Sequence, residues 1–115
     1  MRMIVTIAPV LLLAGCYYDK EELLYPASFC DLTDVSYSAT IGPLVQNSCA
    51  TPGCHVAGGT GTGNFTSYAG VNAAVANGTL RSQVLVDRTM PPTGPLSDCD
   101  MQQIALWLDA GALNN

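Results

Sequence analysis

Five cysteines and a single histidine constrain this chain more than any other feature. Two of the cysteines and the histidine lie together in segment 49–55, where His55 directly follows Cys54. Four residues separate Cys49 from Cys54, and three of them, Thr51-Pro52-Gly53, are turn formers. The pattern therefore predicts a short loop that carries two thiols and an imidazole, around which the rest of the chain has to fold.

The composition predicts one small domain with a weak core. The 115 residues include 11 glycines and 7 prolines, whereas the aromatic residues are two phenylalanines, one tryptophan and five tyrosines. A loop-rich domain of this size usually needs a disulfide, a metal or a cofactor before burial outweighs chain entropy. Nine acidic and four basic residues give a net charge of -5, which argues against nucleic acid as a partner because nucleic-acid binding relies on basic patches.

The first 15 residues have the organisation of an export signal. Arg2 precedes an apolar run over residues 3–13, and the small residues Ala14 and Gly15 follow it. The run is shorter than the ~20 apolar residues that cross a bilayer. We therefore predict a cleaved signal peptide over residues 1–15 in preference to a transmembrane anchor.

The segment Leu13-Ala14-Gly15-Cys16 resembles the lipobox of bacterial lipoproteins. This resemblance implies that Cys16 is lipidated and that residues 16–29 form a tether; the alternative is an ordinary cysteine in a secreted chain. Tyr17 follows the cysteine where an acidic residue would resemble an inner-membrane signal, which favours anchoring in the outer membrane, at its periplasmic face or at the cell surface. Lys20-Glu21-Glu22 either resembles a surface-export signal or belongs to a solvated tether.

A first helix is predicted over residues 39–48, after an irregular lead-in. Ser36 or Ser38 can cap it, and its apolar residues recur at three- and four-residue spacing on one face. The helix ends next to Cys49, so it carries the cysteine-histidine segment at its C-terminal end.

Two further helices are predicted on either side of a proline-rich loop. One opens at residues 66–67 and closes at Asn77-Gly78, and the last starts at a Ser97 cap and stops at Ala110-Gly111. Between them, the pattern of residues 80–86 fits either a helix or a strand. The apolar face of the last helix consists of Met101, Ile104, Ala105 and Leu108, widened by Trp107.

The glycine-rich segment 58–64 invites a phosphate-binding interpretation that its surroundings do not favour. No predicted strand precedes it and no Gly-Lys-Ser/Thr follows it. Glycines also let the backbone pass close to a flat, bulky partner, and this second interpretation is the one we favour.

A cysteine pair followed at once by histidine is typical of covalent c-type haem attachment. In such a site two thiols add to the vinyl groups of the porphyrin, and the neighbouring imidazole binds the iron. The common signature has two residues between the cysteines, whereas Cys49 and Cys54 are separated by four. We predict that these two cysteines form the thioethers and that His55 is one axial ligand of the iron.

Met90 is the candidate for the second axial ligand. It lies in a segment with three prolines among residues 91–95, which can be neither helix nor central strand. A thioether binds low-spin haem iron opposite an imidazole. The alternative is that Met90 only fills the core, as methionines more often do.

The remaining cysteines predict a disulfide. If Cys16 carries lipid and segment 49–55 carries haem, Cys30 and Cys99 are left, and an exported chain favours their oxidation. Closing that loop would stabilise the domain by ~4 kcal/mol in the chain-entropy model. Two alternatives stay open: a local disulfide between the cysteines of segment 49–55, or a zinc site in which Cys30 or Cys99 adds the fourth ligand.

Together these segments resemble small monohaem class I cytochromes c of bacterial lipoprotein type. The residues that carry the resemblance are Ile41-Gly42-Pro43-Leu44, Cys49 to His55, Met90-Pro91-Pro92 and Leu96 to Asn115. It implies that residues 30–115 form an all-α, loop-rich domain of three to four short helices around one covalent haem c. In that fold the last helix crosses the first beside the haem edge, where Trp107 would pack.

The function implied by this resemblance is one-electron transfer without catalysis, because both axial positions of the iron are taken. The expected partners are redox proteins, a donor and an acceptor, with a basic docking face on at least one of them. We expect a monomer anchored to the envelope through Cys16. The alternative is a haem-free, disulfide-stapled lipoprotein that serves as a structural or binding module.

Overall fold

The structure, a computed structural model, describes residues 29–115 as an all-α domain. Within this range there are four helical segments and no strand. Helix α1 begins as a π-helical turn, Tyr37–Ile41, and continues as an α-helix, Gly42–Ser48; the others are α2 (Tyr68–Ala76), the π-helix α3 (Arg81–Val86) and α4 (Asp98–Asp109). The predicted class and helix number are therefore confirmed.

Three predictions concern residues outside the described range: the signal peptide over residues 1–15, lipidation of Cys16, and the tether over residues 16–29. Only the last residue of the tether, Phe29, is described. Of the helices in residues 29–115, none has the length and apolar character needed to span a bilayer.

Helix α1 starts two residues earlier than predicted and ends where predicted. The Ser36 side chain caps it by accepting a hydrogen bond from the backbone N–H of Ala39 at 3.2 Å. Ile41 and Val45 are buried on the same face, one helical turn apart. The backbone N–H of Cys49 donates to the carbonyl of Val45 at 2.8 Å, so the helix delivers this cysteine at its C-terminal end.

Helices α2 and α3 form the middle of the domain. Ser67 caps α2, and Gly78, at φ +79°, follows its C-terminal end in the left-handed conformation. Segment 80–86, for which helix and strand were both open, is helical, and Leu80 and Val84 are buried on it. One face of α3 therefore adds to the core.

Helix α4 packs against the beginning of α1 and closes the domain. The Ser97 side chain accepts a hydrogen bond from the backbone N–H of Asp100 at 3.1 Å, which confirms the predicted cap. Trp107 is fully buried on α4, 5.8 Å from the Tyr37 ring of α1, and its indole N–H donates to the carbonyl of Leu113 at 2.9 Å.

A disulfide between Cys30 and Cys99 ties the lead-in segment to the start of α4, as predicted. Their Cα atoms are 5.3 Å apart, within the usual range for disulfides. Both thiols are consumed, so neither can be the fourth ligand of a zinc site. Cys49 and Cys54 are free within the described part of the chain, so the alternative disulfide between them is not formed.

Candidate functional site

A single cavity brings together the four side chains predicted to hold a cofactor. It has a volume of about 1050 Å³ and is lined by Cys49, Cys54, His55 and Met90, among others. Its walls come from the end of α1, the segments that follow it, helices α2 and α3, and the loop before α4. The volume lies just above the ~300–1,000 Å³ typical of ligand and cofactor pockets, so the cavity has room for a large ligand.

The four residues between the two cysteines form a compact turn. The backbone N–H of Cys54 donates to the carbonyl of Thr51 at 3.0 Å, and that of His55 donates to the carbonyl of Cys49 at 3.2 Å. Gly53 supplies the left-handed conformation of the turn, at φ +84°. The longer bridge is thus accommodated as a bulge, and both thiols remain at the same cavity.

The glycine-rich segment folds back onto this turn. Two backbone hydrogen bonds join the segments, Thr60 N–H to Gly53 O at 3.0 Å and Gly61 N–H to Cys54 O at 3.2 Å. The next residue after the glycine-rich segment adds a third, Phe65 N–H to His55 O at 2.8 Å. The predicted close approach of glycine backbone therefore exists, and the partner that it approaches is the cysteine-histidine segment itself.

Gly59 shows how tight this approach is. A Cβ atom at this position would lie 1.9 Å from the carbonyl oxygen of Cys54. No side chain fits there without moving the backbone, so glycine is needed for the segment to close over the motif.

The imidazole of His55 is held in one tautomer. Its Nδ1 lies 2.9 Å from the carbonyl oxygen of Thr62. A carbonyl can only accept, so Nδ1 carries the proton and Nε2 keeps its lone pair. Metal-binding histidines commonly donate their other ring N–H in this way, so Nε2 is the nitrogen available for a metal.

The ring of Phe65 stacks on the imidazole of His55. The ring centroids are 4.2 Å apart and the planes are inclined by 7°. Phe65 is almost fully buried and also lines the cavity. Sequence reasoning missed both Phe65 and Thr62; the only signal was an aromatic residue directly after a glycine-rich segment.

Burial raises the pKa of the Cys49 thiol, and the neighbouring thiol of Cys54 adds to this shift. Near neutral pH Cys49 is therefore held as a thiol, not as a thiolate. Because the thiolate is the nucleophile in disulfide exchange, this environment slows oxidation of Cys49.

Met90 reaches the cavity from a loop that is tied to the middle of α3. The backbone N–H groups of Thr89 and Met90 both donate to the carbonyl of Gln83, at 2.9 and 3.2 Å. Pro91 and Pro92 follow, and both line the cavity. The prediction of an irregular loop in this segment is confirmed, and its position brings the thioether to the same space as His55.

The wall of the cavity is built from apolar and neutral polar side chains around the two thiols, His55 and Met90. The polar lining residues are asparagine, serine, threonine and glutamine, and no aspartate, glutamate, lysine or arginine of the described residues lines the cavity. Residues 29–115 hold no cluster of three or more His, Cys, Asp or Glu side chains placed for a bare metal ion. The donor atoms of the cavity are therefore two thiols, one imidazole and one thioether.

Trp107 does not line this cavity. It belongs to the contact between α1 and α4, where Tyr37 and Leu113 are its partners. The expected packing of Trp107 where the last helix meets the first is therefore confirmed, and its place beside a cofactor stays a prediction.

No protein-family model, curated protein or solved structure matches this chain. Any assignment of function therefore depends on the residues of the cavity and on their geometry.

Proposed function

We propose that this protein is a one-electron carrier or relay with one covalently attached haem c. A single observation carries the proposal: Cys49, Cys54, His55 and Met90, spread over 42 positions of the sequence, line one cavity of about 1050 Å³. These are the two thiols, the imidazole and the thioether that a His/Met-ligated haem c requires.

Attachment would use the two free thiols. Each thiol would add across a vinyl double bond, so that sulfur would bond to one carbon and hydrogen to the other, with nothing released. Cys49 and Cys54 are both unpaired within residues 29–115 and face the same cavity.

Two side chains would hold the iron. His55 offers Nε2 because its Nδ1–H is engaged by the carbonyl of Thr62. Met90 would bind through its sulfur, and the thioether favours the ferrous state because it is a soft, neutral ligand. With both axial positions taken, oxygen and peroxide have no open site, so we propose a relay and not an enzyme.

The haem would supply a reversible one-electron couple between ferric and ferrous iron. The chain would position that couple, exclude water from it and present it to protein partners. The net charge of -5 favours a donor or acceptor with a basic docking face.

Lipidated Cys16 would keep the domain at the outer membrane, and replacing Cys16 by serine should release the protein into the soluble fraction.

The first test is to purify the protein from a bacterial host that has haem-attachment machinery. We expect the absorption bands of a reduced c-type haem and an intact mass that is higher by one haem. The variant C49S/C54S should lose the added mass, whereas C30S/C99S, which removes only the disulfide, should keep it. A wild-type protein without haem bands or added mass would favour the haem-free structural module.

The second test concerns Met90. Met90→Leu keeps the side-chain volume but removes the thioether, so we expect covalent haem with an altered axial-ligand spectrum and a lower reduction potential. Met101→Leu is the matched control, because Met101 is buried on α4 and does not line the cavity. Spectra that are unchanged in Met90→Leu would remove Met90 from the site.

A further inference from the structure

The His55 imidazole is covered on one face by an aromatic ring. The ring of Phe65 lies parallel to it within 7°, at a centroid distance of 4.2 Å. Such stacking leaves the ring no room to tilt toward Phe65. Rotation of the imidazole about its own bond would have to displace a side chain that is only 7% exposed.

The other face of the imidazole is covered by Gly61. A Cβ atom on Gly61 would lie 2.8 Å from Nδ1 of His55, 2.9 Å from Cε1 and 3.0 Å from Cγ. Three nearly equal distances to three adjacent ring atoms place that position above the ring plane, because an approach in the plane would leave Cε1 and Cγ much farther away than Nδ1. A Cβ atom placed on the face that stacks on Phe65 would lie closer to Phe65 than to His55, but its three nearest atoms all belong to His55. Gly61 therefore lies on the opposite face.

We infer that Phe65 and Gly61 clamp the two faces of the His55 imidazole and, with the carbonyl of Thr62, orient its Nε2 toward a planar metal cofactor. This inference deepens the proposed haem site and rests on it. None of the three residues supplies a thiol or a metal ligand in the proposed arrangement; they are positioning residues that act through His55.

The clamp is anchored to the rest of the domain. The side-chain amide of Gln46, on α1, donates to the carbonyl of Phe65 at 3.0 Å. The N–H of Phe65 donates to the carbonyl of His55 at 2.8 Å, so the two stacked residues are joined through their backbones as well. The backbone of Phe65 is therefore fixed relative to both α1 and the cysteine-histidine segment, and its ring is buried against the imidazole.

A clamped ring is already organised when the metal arrives. Loss of an outer partner of a metal-binding histidine typically costs about 10–100-fold in metal affinity or activity. A clamp on both faces also selects one plane for the imidazole, and the orientation of that plane sets the orbital splitting of a low-spin ferric haem.

The first experiment uses the full chain made without haem attachment. Nitrogen-15 NMR of the single histidine should show one Nδ1–H tautomer, with that proton protected from exchange. Phe65→Leu and Gly61→Ala should each lose this protected signal. This experiment does not depend on haem. If the protected signal is present but the protein never takes up haem, the proposed function is refuted and the clamp is not.

The second experiment uses the haem-loaded protein. Its electron paramagnetic resonance spectrum should show one low-spin species in the wild type. In Phe65→Leu and Gly61→Ala we expect covalent haem of unchanged stoichiometry, a broadened or split low-spin signal and a high-spin fraction that rises by about tenfold. Phe65→Tyr, which keeps the stack, should restore a single species.

Two control variants separate positioning from general stability. Gly58→Ala adds a methyl group in open space to the same loop at a strained φ of +76°, and Val71→Ala shortens a core residue that does not line the cavity. Both controls should keep the wild-type spectrum even where they lose as much stability as Phe65→Leu and Gly61→Ala, or more. Wild-type spectra in haem-loaded Phe65→Leu and Gly61→Ala would overturn the inference without contradicting the haem site. Altered low-spin signals in the two control variants would also overturn it.

Discussion

The two sides of this domain are held together by different kinds of interaction. On one side, which we call the terminal contact, the ends of the domain meet through aromatic packing. Tyr37 lies edge-on to Tyr68 at 5.0 Å and against Trp107 at 5.8 Å. The backbone N–H of Tyr37 donates to the side chain of Asn115 at 2.9 Å, and the Tyr68 hydroxyl donates to the carbonyl of Ala112 at 2.8 Å.

On the other side, the wall of the cavity is held mainly by backbone hydrogen bonds. The glycine-rich segment wraps the cysteine-histidine segment through the carbonyls of Gly53, Cys54 and His55. Here large side chains are few, and close approach of backbone to backbone replaces them. Gly59 and Gly61 occupy positions where any Cβ atom would collide with the motif.

The difference indicates how stability and binding are divided in so small a chain. The terminal contact and the disulfide find all their partners within the protein, so we expect them to hold the fold whether or not a cofactor is bound. The cavity wall presents side chains to a space, and its own packing is incomplete on that side. A bound group would supply the missing contacts, so the two sides should respond differently to mutation.

The largest effect on stability should come from the disulfide. The double variant C30S/C99S opens a loop that spans 69 residues, which should lower the free energy of unfolding by about 4 kcal/mol in the chain-entropy model. Chemical denaturation of wild type and variant measures the difference. A loss below about 1 kcal/mol would show that the terminal contact alone closes the domain.

A matched pair of valines tests the comparison directly. Val71 and Val84 are both buried on helices, but only Val84 lines the cavity. In the haem-free protein, Val71→Ala should cost about 2–3 kcal/mol, because it removes two methyl groups and leaves a void in closed packing. Val84→Ala should cost slightly less, since Val84 is only 4% exposed but its open part faces the cavity, where it has no protein neighbour to lose.

The loss of stability in each valine variant can be measured from denaturation midpoints, with and without haem. Haem attachment should bring the cost of Val84→Ala toward that of Val71→Ala, because the bound group then contacts Val84. Equal costs in the haem-free protein would contradict the division between the two sides.

The smallest effect concerns the thiol of Cys49. Burial raises its pKa, so at neutral pH its thiolate fraction is below that of an ordinary cysteine and alkylation should be slower. The rate should keep rising as pH passes the usual thiol range. Stability should fall over the same interval, because the unfolded chain ionises first. The rate can be measured by alkylating haem-free Cys54→Ser protein with iodoacetamide and following the reaction by mass spectrometry between pH 7 and 10, roughly the thiol range. A dependence of the rate on pH like that of an exposed cysteine would contradict the burial of Cys49.

Local signals in the sequence were enough to predict most of the helices. Serine caps, apolar spacing and a glycine stop placed α1, α2 and α4 within a few residues, because these features act over one or two turns. Segment 80–86 stayed ambiguous since a short apolar run suits a helix and a strand equally well. Only its packing against the core decided that it is helical.

For the candidate site, the sequence by itself determined the donor types and their order along the chain. Cys49, Cys54 and His55 are neighbours in sequence, and the prolines after Met90 exclude a helix there. The disulfide between Cys30 and Cys99 also followed from counting thiols, and the structure confirms it.

Only the tertiary structure decided what surrounds the imidazole. The tautomer of His55 depends on the carbonyl of Thr62, and its orientation depends on Phe65 and Gly61. These contacts arise when a loop of irregular backbone folds back on the motif, and no periodic pattern in the sequence encodes such a path. Trp107 shows the same limit, because a buried tryptophan on the right helix can face either the cavity or the terminal contact, and only the packing of α4 on α1 determines which.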